Sequence, residues 1–221
     1  MKICFCDLDG PLLDVSEKYY RAYADLIMEN GGQPLSRERY WSLKRQRVSS
    51  GELLQLSATQ GLSVATFAGS WATRVESKEY LRYDRLQSGA LEAVEAIARR
   101  YELALVTLRR SRDLLIWQLG ETGLLASFDA ILSSGEDRIP RWSIKHDLIT
   151  AYYGGGTRSY SWFIGDTETD IEAGRNLGTR TIAIFNGIRT EALLRCSSPD
   201  ILLPAISEIA STPIYHENPV R

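Results

Sequence analysis

Cysteine and histidine are scarce in this chain, at three and two of 221 residues. Cys4-Phe5-Cys6 has no further Cys or His cluster to complete a metal site, and a disulfide framework is excluded. The two sulfurs flank one residue of an expected strand, too close to bridge without strain, so they read as buried packing groups in a reducing compartment. Net charge is also nearly absent: a formal −2 gives no ground for a nucleic-acid partner. No apolar run approaches the roughly 18 residues a membrane-spanning helix needs. The start, Met1-Lys2-Ile3, shows no signal-peptide hydrophobic region, and a cytoplasmic protein with no membrane association is expected. Internal repeats and low-complexity segments are missing too.

What is present suits an ordinary globular protein. Hydrophobic residues make up 44% of the chain, with five tryptophans and eleven tyrosines, enough for a substantial core. Basic residues are lopsided, 21 arginines against five lysines, so residues 86–221 contain Lys145 as their single lysine.

After residue 86, short apolar runs alternate with helical periodicity. The runs are Glu102 to Thr107, Phe128 to Ser133, Trp162 to Asp166 and Thr181 to Phe185. The helical stretches are Ala90 to Arg100, Ser111 to Thr122, Ser143 to Tyr153 and Glu168 to Leu177, with Gly123 and Gly178 at two expected stops. Such alternation predicts an α/β fold with a parallel sheet and helices on both faces. Lys2 to Cys6 belongs to the same sheet by character, yet some seventy residues separate it from the next core element. That insert reads as helical. Ser16 is expected to cap a helix carrying Tyr19, Tyr20, Tyr23, Leu26 and Ile27 on one face, and helices follow over 36–46, 51–60 and 64–82. The expected organisation is a core of residues 1–14 and 86–221, and an inserted helical domain of residues 15–85. The end, Ser211 to Arg221, with Pro213 and Pro219, is expected to trail along the surface.

In an open parallel sheet, ligands bind beyond the carboxyl ends of the strands. There the sequence concentrates acid: Asp7-Leu8-Asp9 after the first strand, and Gly165-Asp166 with Asp170 after another. Thr107 ends a third strand, and Lys145 lies early in a helix. Clustered carboxylates repel one another and take up protons unless a cation neutralises them. An all-oxygen set suits magnesium, with Asp7 and Asp166 giving carboxylate oxygens and Asp9 its main-chain carbonyl. An ionised Asp7 is a ready nucleophile toward phosphorus, and Asp9 is placed to give the leaving oxygen a proton and later take one from water. Thr107 and Lys145 would hold the phosphoryl oxygens, and Gly10 frees the chain to turn after the acids.

Asp7-Leu8-Asp9-Gly10, Thr107, Lys145 and Gly165-Asp166-Thr167-Glu168-Thr169-Asp170 with Ala173-Gly174 resemble the four motifs of the haloacid dehalogenase-like hydrolase superfamily. The resemblance implies a Rossmann-like core with a type 1 helical cap. It further implies a phospho-aspartyl intermediate on Asp7, Asp9 as acid/base, and Asp166 with Asp170 completing a magnesium site. The expected substrate is a small phosphorylated metabolite. The sequence departs from that pattern at Pro11, where threonine or valine is frequent, at Leu108 in place of a common asparagine, and at His146 in place of proline.

Arg45 and Arg47, in a basic stretch between two helices of the insert, are candidates to meet an anionic substrate, as are Gly10 and Leu108 by position. Arg109 and Arg110, which follow Thr107, are placed either to meet substrate or to lie on the surface, with nothing in the sequence to separate the two, and His146 and His216 have no assigned role. A phosphomutase would use the same aspartates. A phosphonate hydrolase would need an imine-forming lysine in the insert, where Lys18 and Lys44 are the residues placed for it. A dehalogenase dispenses with Asp9. A non-catalytic phosphate-ligand-binding protein has no reason to retain that acid.

Overall fold

The computed structural model describes residues 2–59, 61–135, 142–154 and 160–216. The chain divides into two compact units, residues 1–14 with 85–221, and residues 15–84. The first is an α/β sandwich, the second helical, in keeping with the Rossmann-like fold class expected from the sequence.

In the first unit the strands are β1 (Ile3–Cys6), β2 (Leu13–Asp14), β3 (Arg85–Leu86), β4 (Glu102–Thr107), β5 (Ala130–Ser133), β6 (Tyr160–Gly165), β7 (Arg180–Ile184) and β8 (Ile201–Leu203). Six form one parallel sheet in the order β5-β4-β1-β6-β7-β8, while β2 and β3 pair antiparallel where the chain leaves and re-enters this unit. Helices cover both faces of a parallel sheet, so its central strands need apolar side chains on both sides. All four residues of β1 are buried accordingly, Cys4 and Cys6 among them as free thiols.

Register then fixes the functional edge. Cys6 lies level with Leu105 of β4 on one side and Ile164 of β6 on the other, so Asp7, Thr107 and Asp166 all emerge at the carboxyl end of the sheet. The strand order reverses at β1, and this is the switch point where such sheets open a crevice. Beneath it Phe5 packs edge-on to Tyr153 and tilted against Phe163, with ring centroids 5.9 and 5.8 Å away. Ile149 and Tyr153 of the helix Trp142–Tyr153 belong to that core.

The second unit contains helices Ser16–Glu29, Arg37–Arg45, Ser50–Leu56, Val64–Val75 and Lys78–Leu81. Ser36, Ser49 and Ser63 each accept a backbone N–H at a helix start, and Ser49 with Glu52 closes a capping box. Tyr23 and Tyr40 stack at 4.3 Å in a core with Ile27, Leu43, Leu53 and Phe67, so the insert's aromatics are its own interior.

Several boundaries differ from the sequence expectation. Ser16 is the first helical residue and its hydroxyl accepts from Arg37, leaving Val15 at the N-cap position without a side-chain bond. The helix expected over 64–82 breaks at Glu76-Ser77. The stretch expected over 51–60 ends at Leu56, and Gln60 lies outside the described residues. Strands β2, β3 and β8, with two, two and three residues, are too short for a period-two pattern. At the end, Pro213–His216 forms a helical turn, and 217–221, with Pro219, lie outside the described residues.

Lys18, early in the insert, and Asp84, at its last residue, form an ion pair at 2.7 Å with each side chain 1% exposed. Removing one partner strands a buried charge, whereas removing both does not. Lys18→Met is therefore expected to cost about 3–5 kcal/mol in urea unfolding, and Lys18→Met combined with Asp84→Leu to regain most of it. Equal losses for the single and double variants would contradict a coupled pair.

Candidate active site

The site begins with a short turn. The Asp7 N–H donates to the Ile164 carbonyl at 2.9 Å, which ties the end of β1 to β6. The chain then reverses, with the Leu12 and Leu13 amides returning to the Leu8 carbonyl and the Gly10 amide donating to the Leu13 carbonyl. Gly10 adopts φ 107°, and a Cβ there would fall 1.9 Å from Asp166 Oδ2. Glycine at this position thus brings the turn after the first aspartates against the carboxylate that follows β6. Because its amide serves Leu13 and its carbonyl accepts from Gln87 at 3.0 Å, its expected place at the substrate is one of backbone packing in this geometry.

Asp7, Asp166 and Asp170 are buried and offer carboxylate oxygens within 4.8 Å of one another. Lys145, 2% exposed, reaches Asp7 Oδ1 at 2.9 Å and Asp170 Oδ1 at 2.5 Å. Asp170 Oδ2 accepts from the amides of Asp166 and Thr167 at 3.2 and 3.0 Å and from the Thr167 hydroxyl at 2.7 Å. Those donors open the helix Glu168–Asn176, so the carboxylate sits where orphan amides and the helix dipole favour negative charge.

Asp166 is poorer in partners. Its Oδ2 accepts the Ile188 N–H at 2.5 Å, and its Oδ1 is buried with no hydrogen-bond partner among the described residues. A Cβ on Gly187 would lie 2.2 Å from Asp166 Oδ2. The loop after β7 therefore belongs to the site, which the sequence reading missed; an Asn-Gly dipeptide after an apolar strand was its visible signal.

Burial dominates the electrostatics. It raises Asp7 to about 7, against the neighbouring Lys145, with Asp170 and Asp9 adding to the rise. Burial, then Asp170 and Asp7, push Asp166 well above the ordinary carboxyl range. For Lys145, burial favours the neutral amine, but Asp170 and Asp7 outweigh it and hold the ammonium above its ordinary value. An orphaned carboxylate oxygen among desolvated acids, in an all-oxygen donor set, fits a divalent cation.

Thr107 is 2% exposed and its Oγ1 accepts the Arg109 amide at 3.4 Å. Leu108 is partly buried, with its carbonyl accepting from the Ser134 hydroxyl at 3.1 Å. Asp9 lies outside the carboxylate cluster and accepts from Arg109 Nη2 at 2.7 Å. Arg109 is 3% exposed, so it is no surface arginine, a point the sequence left open; a pattern of residue types does not reveal a partner a hundred positions away. Arg45 and Arg47 belong to the other unit, Arg45 closing the helix Arg37–Arg45 and Arg47 following with φ 61°.

Fold and cluster together define an α/β protein with a buried acidic site at the switch point of its sheet. Residues 1–178 match the family model of the haloacid dehalogenase-like hydrolases, and the chain belongs to that family. Pyrophosphatase PpaX of Bacillus velezensis is 28% identical over 109 residues, a match spanning 49% of this chain and 50% of that protein, about half its length. Among solved structures, a haloacid dehalogenase-like family hydrolase from Streptococcus pneumoniae superposes with TM-score 0.72 at 20% identity, over 96% of this chain and 97% of the other. A protein titled a predicted phosphoglycolate phosphatase, from Haemophilus somnus 129pt, gives 0.73 at 19% identity, over 96% and 97%. Among the described residues no helix is long and apolar enough to cross a membrane.

The cluster makes the metal-free protein sensitive to pH. A carboxyl with a raised folded pKa stabilises the fold fully below its unfolded pKa and ceases to do so as pH rises through the folded one. For Asp7 that window runs from 3.8 to about 7. The melting temperature of metal-free protein is expected to fall across it and to fall less steeply in Asp166→Asn. A divalent cation at a hundred times its dissociation constant is expected to add about 2.7 kcal/mol at the upper end of the window. A melting temperature unmoved by any cation would exclude the metal site.

Proposed function

We infer that this chain is a magnesium-dependent phosphatase acting on a small phosphorylated metabolite. The observation that carries the reading is the buried trio Asp7, Asp166 and Asp170, held with Lys145 at the switch point of the sheet. Among these, Asp7 and Asp166 have room for direct ligation, while the donors on Asp170 favour a supporting place in the site. The Asp9 main-chain carbonyl is assigned as a further ligand beside them. When bound, magnesium would neutralise the carboxylates and the incoming phosphate, which lowers the repulsion between nucleophile and substrate.

The chain's own residues do the rest. An Asp7 carboxylate oxygen attacks phosphorus in line, and the bond from phosphorus to the ester oxygen breaks. Asp9 gives that oxygen its proton. A water then attacks the phosphoryl group on Asp7, losing a proton to Asp9, and releases inorganic phosphate with the Asp7 carboxylate restored. Lys145 and Thr107 hold the phosphoryl oxygens. The inserted unit is assigned as the cap that excludes water from the first transfer, with Arg45 and Arg47 as its contacts to an anionic substrate and Leu108 as an apolar contact. A cytoplasmic site of action agrees with the paucity of cysteine.

The partial match to a pyrophosphatase supports a second reading, in which the leaving group is itself phosphate. Phosphate release from 4-nitrophenyl phosphate, pyrophosphate, and a panel of sugar, nucleotide and glycolate phosphates separates the two. Release is expected to require magnesium, to stop with chelator and in Asp7→Asn, and to fall about 10²–10⁴-fold in Asp9→Asn. Preference for pyrophosphate would replace the monoester reading. Net isomerisation of a sugar phosphate would indicate a mutase, and no release from any compound a binding protein.

A further inference from the structure

The Asp9 carboxylate is held from the neighbouring strand end. Arg109 Nη2 donates to Asp9 Oδ1 at 2.7 Å and to Gln118 Oε1 at 3.2 Å. The arginine side chain is 3% exposed and the aspartate side chain 17%. Gln118, on the helix Arg112–Thr122, is buried. The loop that carries Arg109 is fixed at both ends of its residue: the amide donates to Thr107 Oγ1 at 3.4 Å, and the carbonyl accepts from Ser134 Oγ at 3.4 Å.

We propose that Arg109 is a positioning residue that sets the direction of the Asp9 carboxylate for proton transfer to and from the reacting oxygens. The role rests on the acid/base assignment of Asp9 made above. A general acid must lie within hydrogen-bond reach of the atom it serves, and Asp9 stands on a turn followed by a glycine in the left-handed region. Backbone bonds close that turn, but the carboxylate turns about its own side-chain torsions, which those bonds do not fix. A planar guanidinium, itself oriented by Gln118, gives more directional control than an ammonium would. A direct role in binding the substrate anion fits less well, because Arg109 is nearly inaccessible and Nη2 donates to both Asp9 and Gln118.

The leaving group reports this role. An alkoxide needs a proton to depart, whereas 4-nitrophenolate does not, and kcat/KM covers the steps up to departure. Kinetics on glycerol 2-phosphate and 4-nitrophenyl phosphate, with magnesium, therefore separate positioning from scaffolding. Arg109→Met is expected to lower kcat/KM on glycerol 2-phosphate about 10-fold or more beyond its loss on the aryl ester, and Arg109→Lys to restore part of it. Gln118→Leu is expected to show the same substrate pattern with a smaller loss, and it carries the comparison if Arg109→Met does not fold. Equal losses on both esters, no loss, or a gain on glycerol 2-phosphate would overturn the proposal. The underlying assignment fails separately, if Asp9→Asn itself does not discriminate between the two esters or the unaltered enzyme releases phosphate from neither.

Discussion

One buried ammonium makes the acidic edge of this sheet tenable. Lys145 stands between Asp7 and Asp170. Burial opposes the charge of Lys145 and of Asp7; at the lysine the neighbouring carboxylates outweigh it, and at Asp7 the lysine limits the rise. Desolvated carboxylates this close take up protons readily, and without the ammonium beside them they would do so more readily still. The helix that delivers the lysine is also a core element: Ile149, four residues on, and Tyr153, eight on, share its inward side and pack against the sheet. Docking the helix and placing the charge are one event, so the site inherits the rigidity of the hydrophobic core.

The three buried aspartates are not equivalent. Asp170 is saturated by a lysine, two amides and a hydroxyl, and it simultaneously caps its own helix. Among the described residues Asp166 has one amide and an unmatched oxygen, and its carboxylate lies where a Cβ on Gly10 or Gly187 would clash with it. Unsatisfied buried acceptors are costly, and proteins retain them where something else completes the site. The two acids differ accordingly: Asp170 has its donors within the protein, and Asp166 keeps an oxygen that a cation could take.

Much of this was legible in the sequence because the sheet is parallel. Strands buried on both faces leave continuous apolar runs, and Glu102 to Thr107 was readable to the residue. The acids at the strand ends were readable for the same reason, since a charge cannot continue such a run. What escaped has equally physical causes. Two-residue strands carry no period, and Ser16 satisfies the usual N-cap preference while the helix starts one residue earlier to let its hydroxyl meet Arg37. Gly187 and Ile188 act through backbone, which leaves only a glycine as a trace.

The departures from the family pattern all fall outside the buried carboxylate cluster. Pro11 is buried inside the turn, where its fixed φ stiffens a reversal already closed by backbone bonds. His146 turns to Asp147 at 3.1 Å and to the edge of Trp142, away from the partners of its neighbour Lys145. Leu108 is tied down by its carbonyl, and its apolar side chain replaces a potential polar contact. None of the three supplies a bond to Asp7, Asp166 or Asp170. A reaction class depends on the atoms that meet phosphorus and the leaving oxygen, whereas the identity of the leaving group depends on the surfaces around them. Pro11, Leu108 and His146 alter those surroundings and leave the carboxylates, the lysine and the threonine in place, so they bear on the fit of a bound molecule before they bear on the chemistry of the cluster.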